Sequence, residues 1–307
     1  MPMLEVNELS VRFTRYERGL RQTTIETIHK LGLTIDAGEI LAVVGASGSG
    51  KSLLAHAILG ILPGNAQVSG TIRFDGEELT PARQAQLRGR DIALVPQSVQ
   101  YLDPLMRVGR QVRQAVRTGD PIERQRSAFA RYRLKPEAAD LFPFQLSGGM
   151  ARRVLVSTAT VSGARLVIAD EPTPGLDETA LREALGRFRE LADGGCAVML
   201  ITHDIEAALS VSNRIAVLYA GSVVEIARCE EFAGDGADLR HPYTRALWRA
   251  LPQNDFVPIP GAQPLPDALP PGCAFAPRCS WATPECGVTP PEPRTVRGGM
   301  VRCLHGA

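Results

Sequence analysis

The stretch ILAVVGASGSGKS, residues 40–52, decides the fold. Its first six residues form an unbroken apolar run of strand length, suited to a strand covered on both faces. A glycine-rich turn follows, and LLAHAILGIL then continues at helical spacing. Gly45, Ala46, Ser47, Gly48, Ser49, Gly50, Lys51 and Ser52 match the phosphate-binding pattern G-x-x-x-x-G-K-[ST], with Leu53 next in the helix. Glycines let the backbone wrap an anion, successive N–H groups point inward, and the positive end of the helix dipole adds to the field. Lys51 is expected to reach the β and γ phosphates and Ser52 to hold Mg²⁺. A chance match would rarely fall at a strand-to-helix junction. A triphosphate site does not by itself say which machine it drives.

A second element, RLVIADEP at residues 165–172, is an apolar strand ending in acids. Asp170 would deliver one carboxylate to the metal at the sheet's carboxyl edge, and Glu171 a second where a general base polarises water. Alone, such a pair would read as a helix-capping acid with an acidic neighbour. Its strand ends at the same sheet edge as the phosphate loop, which favours the catalytic reading.

Outward from these two strands the chain alternates strand and helix. DIALVPQ and CAVMLIT are further short apolar strands, and EALGRFRELAD between RLVIAD and CAVMLIT is helical, which argues for a parallel α/β core. Leu4 and Val6, then Leu9, Val11 and Phe13, alternate, as do Leu31, Leu33 and Ile35; these predict half-buried strands of an antiparallel edge layer. From Tyr101 to Val161 the pattern is mostly helical, with breaks at Gly119-Asp120-Pro121, Lys135-Pro136 and Phe142-Pro143. RIAVLYAGSVVEIA reads as a hairpin around Ala220-Gly221, and HPYTRALWRAL as a last helix opening on Pro242. Twelve of the 23 prolines fall in the last 56 residues, which excludes helices and central strands there and marks a domain boundary.

Composition sets outer limits. A chain of 307 residues can bury one large core plus a smaller one. Thirty-four basic against 33 acidic residues give no broad electrostatic case for nucleic acid or an anionic membrane. The N-terminus lacks the basic start and apolar stretch of a secretory signal, and no window approaches about 18 consecutive apolar residues. The expectation is a cytosolic protein whose membrane role, if any, is borrowed from a partner.

In order along the chain, Gly48-Ser49-Gly50-Lys51-Ser52, Gln97 after a short strand, Leu146-Ser147-Gly148-Gly149, Asp170-Glu171-Pro172-Thr173, Leu176-Asp177 and Thr202-His203-Asp204 resemble the ATPase subunit of an ATP-binding cassette (ABC) transporter. The likeness spans roughly residues 4–232. It implies a P-loop ABC ATPase domain over residues 1–240, α/β with an antiparallel edge layer and a helical subdomain at about 99–163. It further implies a head-to-tail pair of cassettes with two ATP molecules sandwiched between the phosphate loop of one and the LSGG segment of the other. Ser147, Gly148 and Gly149 would then contact the nucleotide in trans, and Asp177 would couple the two sites. By the same resemblance Gln97 links the Mg²⁺ site to the membrane partner, His203 positions the γ phosphate and water, and Phe13, or less favoured Tyr16, stacks on adenine. Core packing is the competing role for Phe13. Two departures stand out: Arg152 where the family usually has glutamine, and Thr173-Pro174-Gly175 before Leu176.

HPYTRALWRALP, residues 258–261, PGCAFAPRC and Cys303 resemble the C-terminal extension, here 241–307, of ATPases serving dipeptide, oligopeptide and nickel importers. Such systems pair two different ATPase subunits with two permease subunits and an extracytoplasmic binding protein, at the cytoplasmic face of the membrane. YLDPLM, residues 101–106, would belong to the permease-docking surface. Cys273, Cys279, Cys286 and Cys303 sit in a tail with little apolar content, which suggests a centre that organises it. Disulfides are disfavoured in a reducing compartment, and zinc sites usually contain a closer cysteine pair. A [4Fe-4S] cluster, known in some members of the resembled group, is the favoured expectation, with zinc or unligated thiols as alternatives. The rival function is a soluble cassette ATPase of DNA repair or translation. Repair members need a long coiled coil between phosphate loop and LSGG, whereas Lys51 and Ser147 are 96 positions apart. Translation members usually carry two cassettes.

Overall fold

The computed structural model describes residues 1–16, 22–173 and 178–306. In chain order its elements are β1 (Leu4–Tyr16), β2 (Gln22–Ile35), β3 (Ile40–Gly45), α1 (Lys51–Leu59), β4 (Ala66–Phe74), β5 (Glu77–Glu78), α2 (Pro81–Leu87) and β6 (Ile92–Val95). There follow α3 (Val108–Ala115), α4 (Pro121–Arg131), α5 (Gly148–Thr160), β7 (Leu166–Asp170), α6 (Glu178–Asp193), β8 (Ala197–Ile201), α7 (Ile205–Leu209), β9 (Arg214–Tyr219) and β10 (Ser222–Arg228). The tail adds α8 (Pro242–Arg249), β11 (Arg294–Val296) and β12 (Gly299–Val301).

The apolar runs that read as doubly covered strands are that. Every residue of β3, β7 and β8 is buried. They lie side by side in an eight-stranded sheet of order β11-β12-β10-β9-β3-β8-β7-β6. The pairings β6–β7, β7–β8, β8–β3 and β3–β9 are all parallel, so the carboxyl ends of these strands share one edge. The fully covered side chains, such as Val43, Ile168 and Leu200, each contribute about 1.5–3 kcal/mol by leaving water.

The alternation near the N-terminus also becomes strand, in a second, four-stranded antiparallel sheet of order β2-β1-β4-β5. Its phase jump between Val6 and Leu9 has a structural cause. Glu8 adopts a left-handed φ of 49° and the β1–β2 register shifts there, so Leu4, Val6, Leu9 and Val11 all point inward.

Helices α3, α4 and α5 share an apolar cluster that includes Val108, Val112, Phe129 and Val154. The breaks are cap signals: Asp120 accepts from the N–H of Ile122 at 2.9 Å, and Pro121 takes the first position of α4. The hairpin of β9 and β10 turns on Ala220 (φ 45°) and Gly221 (φ 82°), the positive pair of a two-residue turn.

The proline-rich tail does contain strands. β12 pairs antiparallel with β10 (Glu225 opposite Val301, Ile226 opposite Met300), and β11 closes on β12, so the tail extends the main sheet. At this junction Glu225 and Arg240 are both fully buried. Glu225 accepts from the N–H of Arg240 (2.7 Å), the N–H of His241 (2.9 Å) and the Arg240 guanidinium (3.3 Å). Arg240 also donates to Glu231.

Candidate functional site

The site forms where β3 and β7 end. Gly45 closes β3 with a φ of 154°, and a Cβ there would lie 2.3 Å from the carbonyl oxygen of Leu218, so no larger residue fits beside β9. Gly50, at φ 103°, caps α1 and turns the loop into it. Ser49 is buried inside the loop; its carbonyl accepts from the N–H of Gly221 at 3.1 Å, pinning the loop to the β9–β10 hairpin. The Lys51 ammonium folds back on the loop, donating to the carbonyls of Gly45 (2.8 Å) and Ala46 (3.1 Å). Burial lowers its pKa, opposed by the charges of Glu171 and Asp170.

Asp170 ends β7 facing this loop. Burial pushes its carboxyl above the usual range, while a hydrogen bond with Ser52 pulls the other way. Its Oδ1 is buried with no protein partner. A buried carboxylate oxygen without a partner beside a serine hydroxyl is a set of hard oxygen donors, and the residues fit Mg²⁺.

Glu171 takes a left-handed φ of 46° immediately past the strand. Three groups hold it there. Its N–H donates to Ile201 (2.9 Å), its carbonyl accepts from Nη1 of Arg152 (3.1 Å), and its Oε2 lies 2.8 Å from Nδ1 of His203. Glu171 is buried whereas the His203 side chain is mostly exposed, so the pair spans the wall between core and solvent.

One cavity of about 330 Å³ opens on part of this set; Gly45, Ala46, Ser49, Asp170 and His203 are not among its lining residues. Ser47, Gly48, Gly50, Lys51, Ser52, Leu53, Gln97 and Glu171 line it, together with Thr27 of β2 and Pro266 of the tail. The last two were missed in the sequence: neither belongs to a local pattern, and Pro266 is brought in by tertiary packing. The tail segment is tied beside the site by Gln263, which accepts from the N–H of Ala220 (3.4 Å), and by Asp267, 3.7 Å from Arg15. Phe13 packs on the core of the two sheets and is not among the residues lining this cavity; Tyr16 is exposed.

Ser147 caps α5, its Oγ accepting from the N–H of Met150 at 3.3 Å. Ser147 and Gly148 are exposed and Gly149 half-buried, and none of the three lines this chain's own cavity. Asp177, with Leu176 and Gly175, lies outside the described residues.

The four tail cysteines converge. Cys273, Cys279, Cys286 and Cys303 line one cavity of about 10 Å³ together with His241, Trp281 and His305. The donor chemistry is that of a four-thiolate centre, but the placement does not match it. Among the described residues no group of three or more His, Cys, Asp or Glu is disposed to hold a metal ion, and burial pushes the thiols of Cys273 and Cys279 up, away from thiolate. The premise that the tail has little to bury also needs correction. Phe275 is 2% exposed and packs against Tyr219, Tyr243 and His241, with ring centroids 5.3, 5.3 and 6.0 Å apart. Arg278 donates to the carbonyl of Pro260 (2.7 Å) and the hydroxyl of Tyr219 (3.2 Å).

Comparison with known proteins agrees with this geometry. Residues 28–174 match the ABC transporter family model, and residues 224–286 match the oligopeptide/dipeptide transporter C-terminal region. The chain is 32% identical to the oligopeptide transport ATP-binding protein OppD of Haemophilus influenzae, covering 100% of this chain and 98% of the relative. It is 34% identical to the OppD of Lactococcus lactis subsp. cremoris (85% and 80% covered) and 34% identical to the dipeptide transport ATP-binding protein DppD of Haemophilus influenzae (82% and 78%). A dimeric, post-hydrolysis structure of the ATP-binding cassette MJ0796 bound to ADP and phosphate superposes with a TM-score of 0.65 at 24% identity, covering 74% of this chain and 99% of that one. Phosphate loop, Asp170, Glu171 and His203 at one sheet edge, an LSGG-capped helix and a matching C-terminal region identify the chain as a member of the ABC transporter ATPase family, in its oligopeptide/dipeptide branch.

Proposed function

We propose that this chain binds and hydrolyses ATP to power uptake of dipeptides or oligopeptides across the cytoplasmic membrane. The observation that carries the reading is the convergence of Lys51, Ser52, Gln97 and Glu171 on one cavity, with Asp170 beside Ser52 and His203 Nδ1 2.8 Å from Glu171 Oε2. The backbone of residues 45–52 and Lys51 would wrap the phosphates, and Ser52, Asp170 and Gln97 would hold Mg²⁺, which supplies charge neutralisation between them. Glu171 would take the proton of the attacking water, with His203 orienting both.

ATP acts as an adhesive in this reading. Ser147, Gly148 and Gly149 at the start of α5 are not among the residues lining their own cavity, and in this reading would close on the nucleotide of a second cassette, a paralogue or another copy. A nucleotide that binds the closed pair better than the separate subunits drives closure by its differential affinity, and hydrolysis releases it. No helix among the described residues is long and apolar enough to cross a membrane. The pore would therefore belong to two permease subunits, fed by an extracytoplasmic solute-binding protein, with this chain bound peripherally. Tyr101 and Leu105, both exposed, would face the permeases.

Peptide cargo is favoured because the relatives named above are oligopeptide and dipeptide transport proteins; none of them carries nickel in its name. The transporter-type C-terminal region disfavours a role in DNA repair or translation. Proteoliposomes containing the full complex test the proposal: ATP-dependent accumulation of a labelled peptide is expected, and ATP hydrolysis without peptide movement would contradict it.

A cluster on Cys273, Cys279, Cys286 and Cys303, iron–sulfur before zinc, is a separate proposal. Convergence on one cavity supports it and the lack of a metal-holding group among the described residues opposes it. Absorbance near 400 nm and iron at about four atoms per chain in anaerobically purified protein would establish it. Colourless, iron-free protein would overturn it.

A further inference from the structure

Arg152 stands in the second turn of α5, five residues past the cap of Ser147, where the resembled cassettes usually have glutamine. Its side chain is buried, at 9% exposure, and none of its hydrogen bonds goes to a carboxylate. Nη1 instead meets three backbone carbonyls: Gln97 at 2.8 Å, Glu171 at 3.1 Å and Pro96 at 3.5 Å. Pro96 and Gln97 follow β6, and Glu171 follows β7. One guanidinium thus joins the LSGG helix to both loops that carry the water-activating carboxylate and the Mg²⁺-facing glutamine.

A buried arginine without an ion pair is costly, and its persistence calls for something that needs it. Glu171 supplies the need. A non-glycine residue at φ 46° is strained and persists only where the surroundings fix it from several sides. Ile201 holds its N–H and His203 its carboxylate; Arg152 holds its carbonyl. Glutamine at 152 has a shorter side chain and no charge, and cannot serve the same three carbonyls.

We propose that Arg152 is a positioning residue: from the LSGG helix it sets the orientation of Glu171 and Gln97, so that seating the start of α5 on a partner cassette's nucleotide is relayed to the general base of this chain. This rests on the ATPase reading above. Because Arg152 does not line the cavity and its hydrogen bonds go to backbone carbonyls, its loss should lower kcat without weakening nucleotide capture.

The test is steady-state ATP hydrolysis by the full transporter complex with Arg152→Gln and Arg152→Lys, alongside nucleotide binding. Arg152→Gln is expected to lower kcat about 10- to 100-fold while KM for ATP stays within about threefold. Arg152→Lys, which keeps charge and donors but not the fork, is expected at about three- to fivefold below wild type. Wild-type kcat in Arg152→Gln, a rise in KM that accounts for the loss, or no recovery by lysine would each overturn the proposal. Should Arg152→Gln fail to assemble, Arg152→Lys alone decides: lowered kcat at unchanged KM supports it and unchanged kcat overturns it. Absence of turnover in the wild-type complex would contradict the ATPase reading instead, which keeps the two failures apart.

Discussion

At the carboxyl edge of β3 and β7 a buried carboxylate is left short of partners; at the junction of the tail with β10 one is matched, although His241 Nε2, Thr244 Oγ1 and Arg302 Nε are buried there without partners. Asp170 Oδ1 and Ser49 Oγ are buried with nothing to bond, and Glu171 sits in a left-handed conformation. Glu225, equally deep, accepts two backbone N–H groups and a guanidinium. An unpaired oxygen on a buried carboxylate beside a phosphate-binding loop costs stability, and is retained where a cation will use it. The first region is a receptor for charge. The second is a scaffold that turns a proline-rich segment into an extension of the sheet and delivers Pro266 to the edge of the nucleotide cavity.

That contrast can be broken by perturbing the scaffold and watching the site. Phe275→Ala removes the ring between Tyr219, Tyr243 and His241, and is expected to cost about 3–5 kcal/mol, seen as a lowered midpoint in urea. Turnover per folded molecule should stay within about twofold, since Phe275 does not line the cavity. A loss of turnover with full stability would mean that tail and site are one functional unit. Arg278→Ala is a smaller perturbation: its bond to Pro260 is exposed and that to Tyr219 half-buried, and about 1 kcal/mol should be lost with no change in nucleotide affinity.

How much of this was legible in the sequence follows the same division. The positions of the phosphate loop, Asp170 and Glu171 at one sheet edge could be read because they ride on local signals, an apolar run and a glycine pattern, whereas Ser147 entered only through the ordered resemblance. The hairpin at Ala220-Gly221 and the start of α4 at Asp120-Pro121 could be read for the same reason. What resisted reading depends on distant partners. Arg152 looked like a departure from a pattern, and only folding shows its carbonyl acceptors 55, 56 and 19 positions away. β11 and β12 are three-residue strands whose pairing with β10 leaves no periodic trace. The tail cysteines were visible as a group, yet the apolar anchor beside them, a single phenylalanine, was not.

The central claim is that the charge-receiving edge is an ATP-hydrolysing site with Glu171 as its base. Glu171→Gln keeps the side chain's size and removes the proton acceptor, so it isolates chemistry from binding. In the purified complex the account predicts ATP affinity within about threefold of wild type and turnover reduced by at least about 100-fold. Turnover near the wild-type rate with ATP still bound would contradict it.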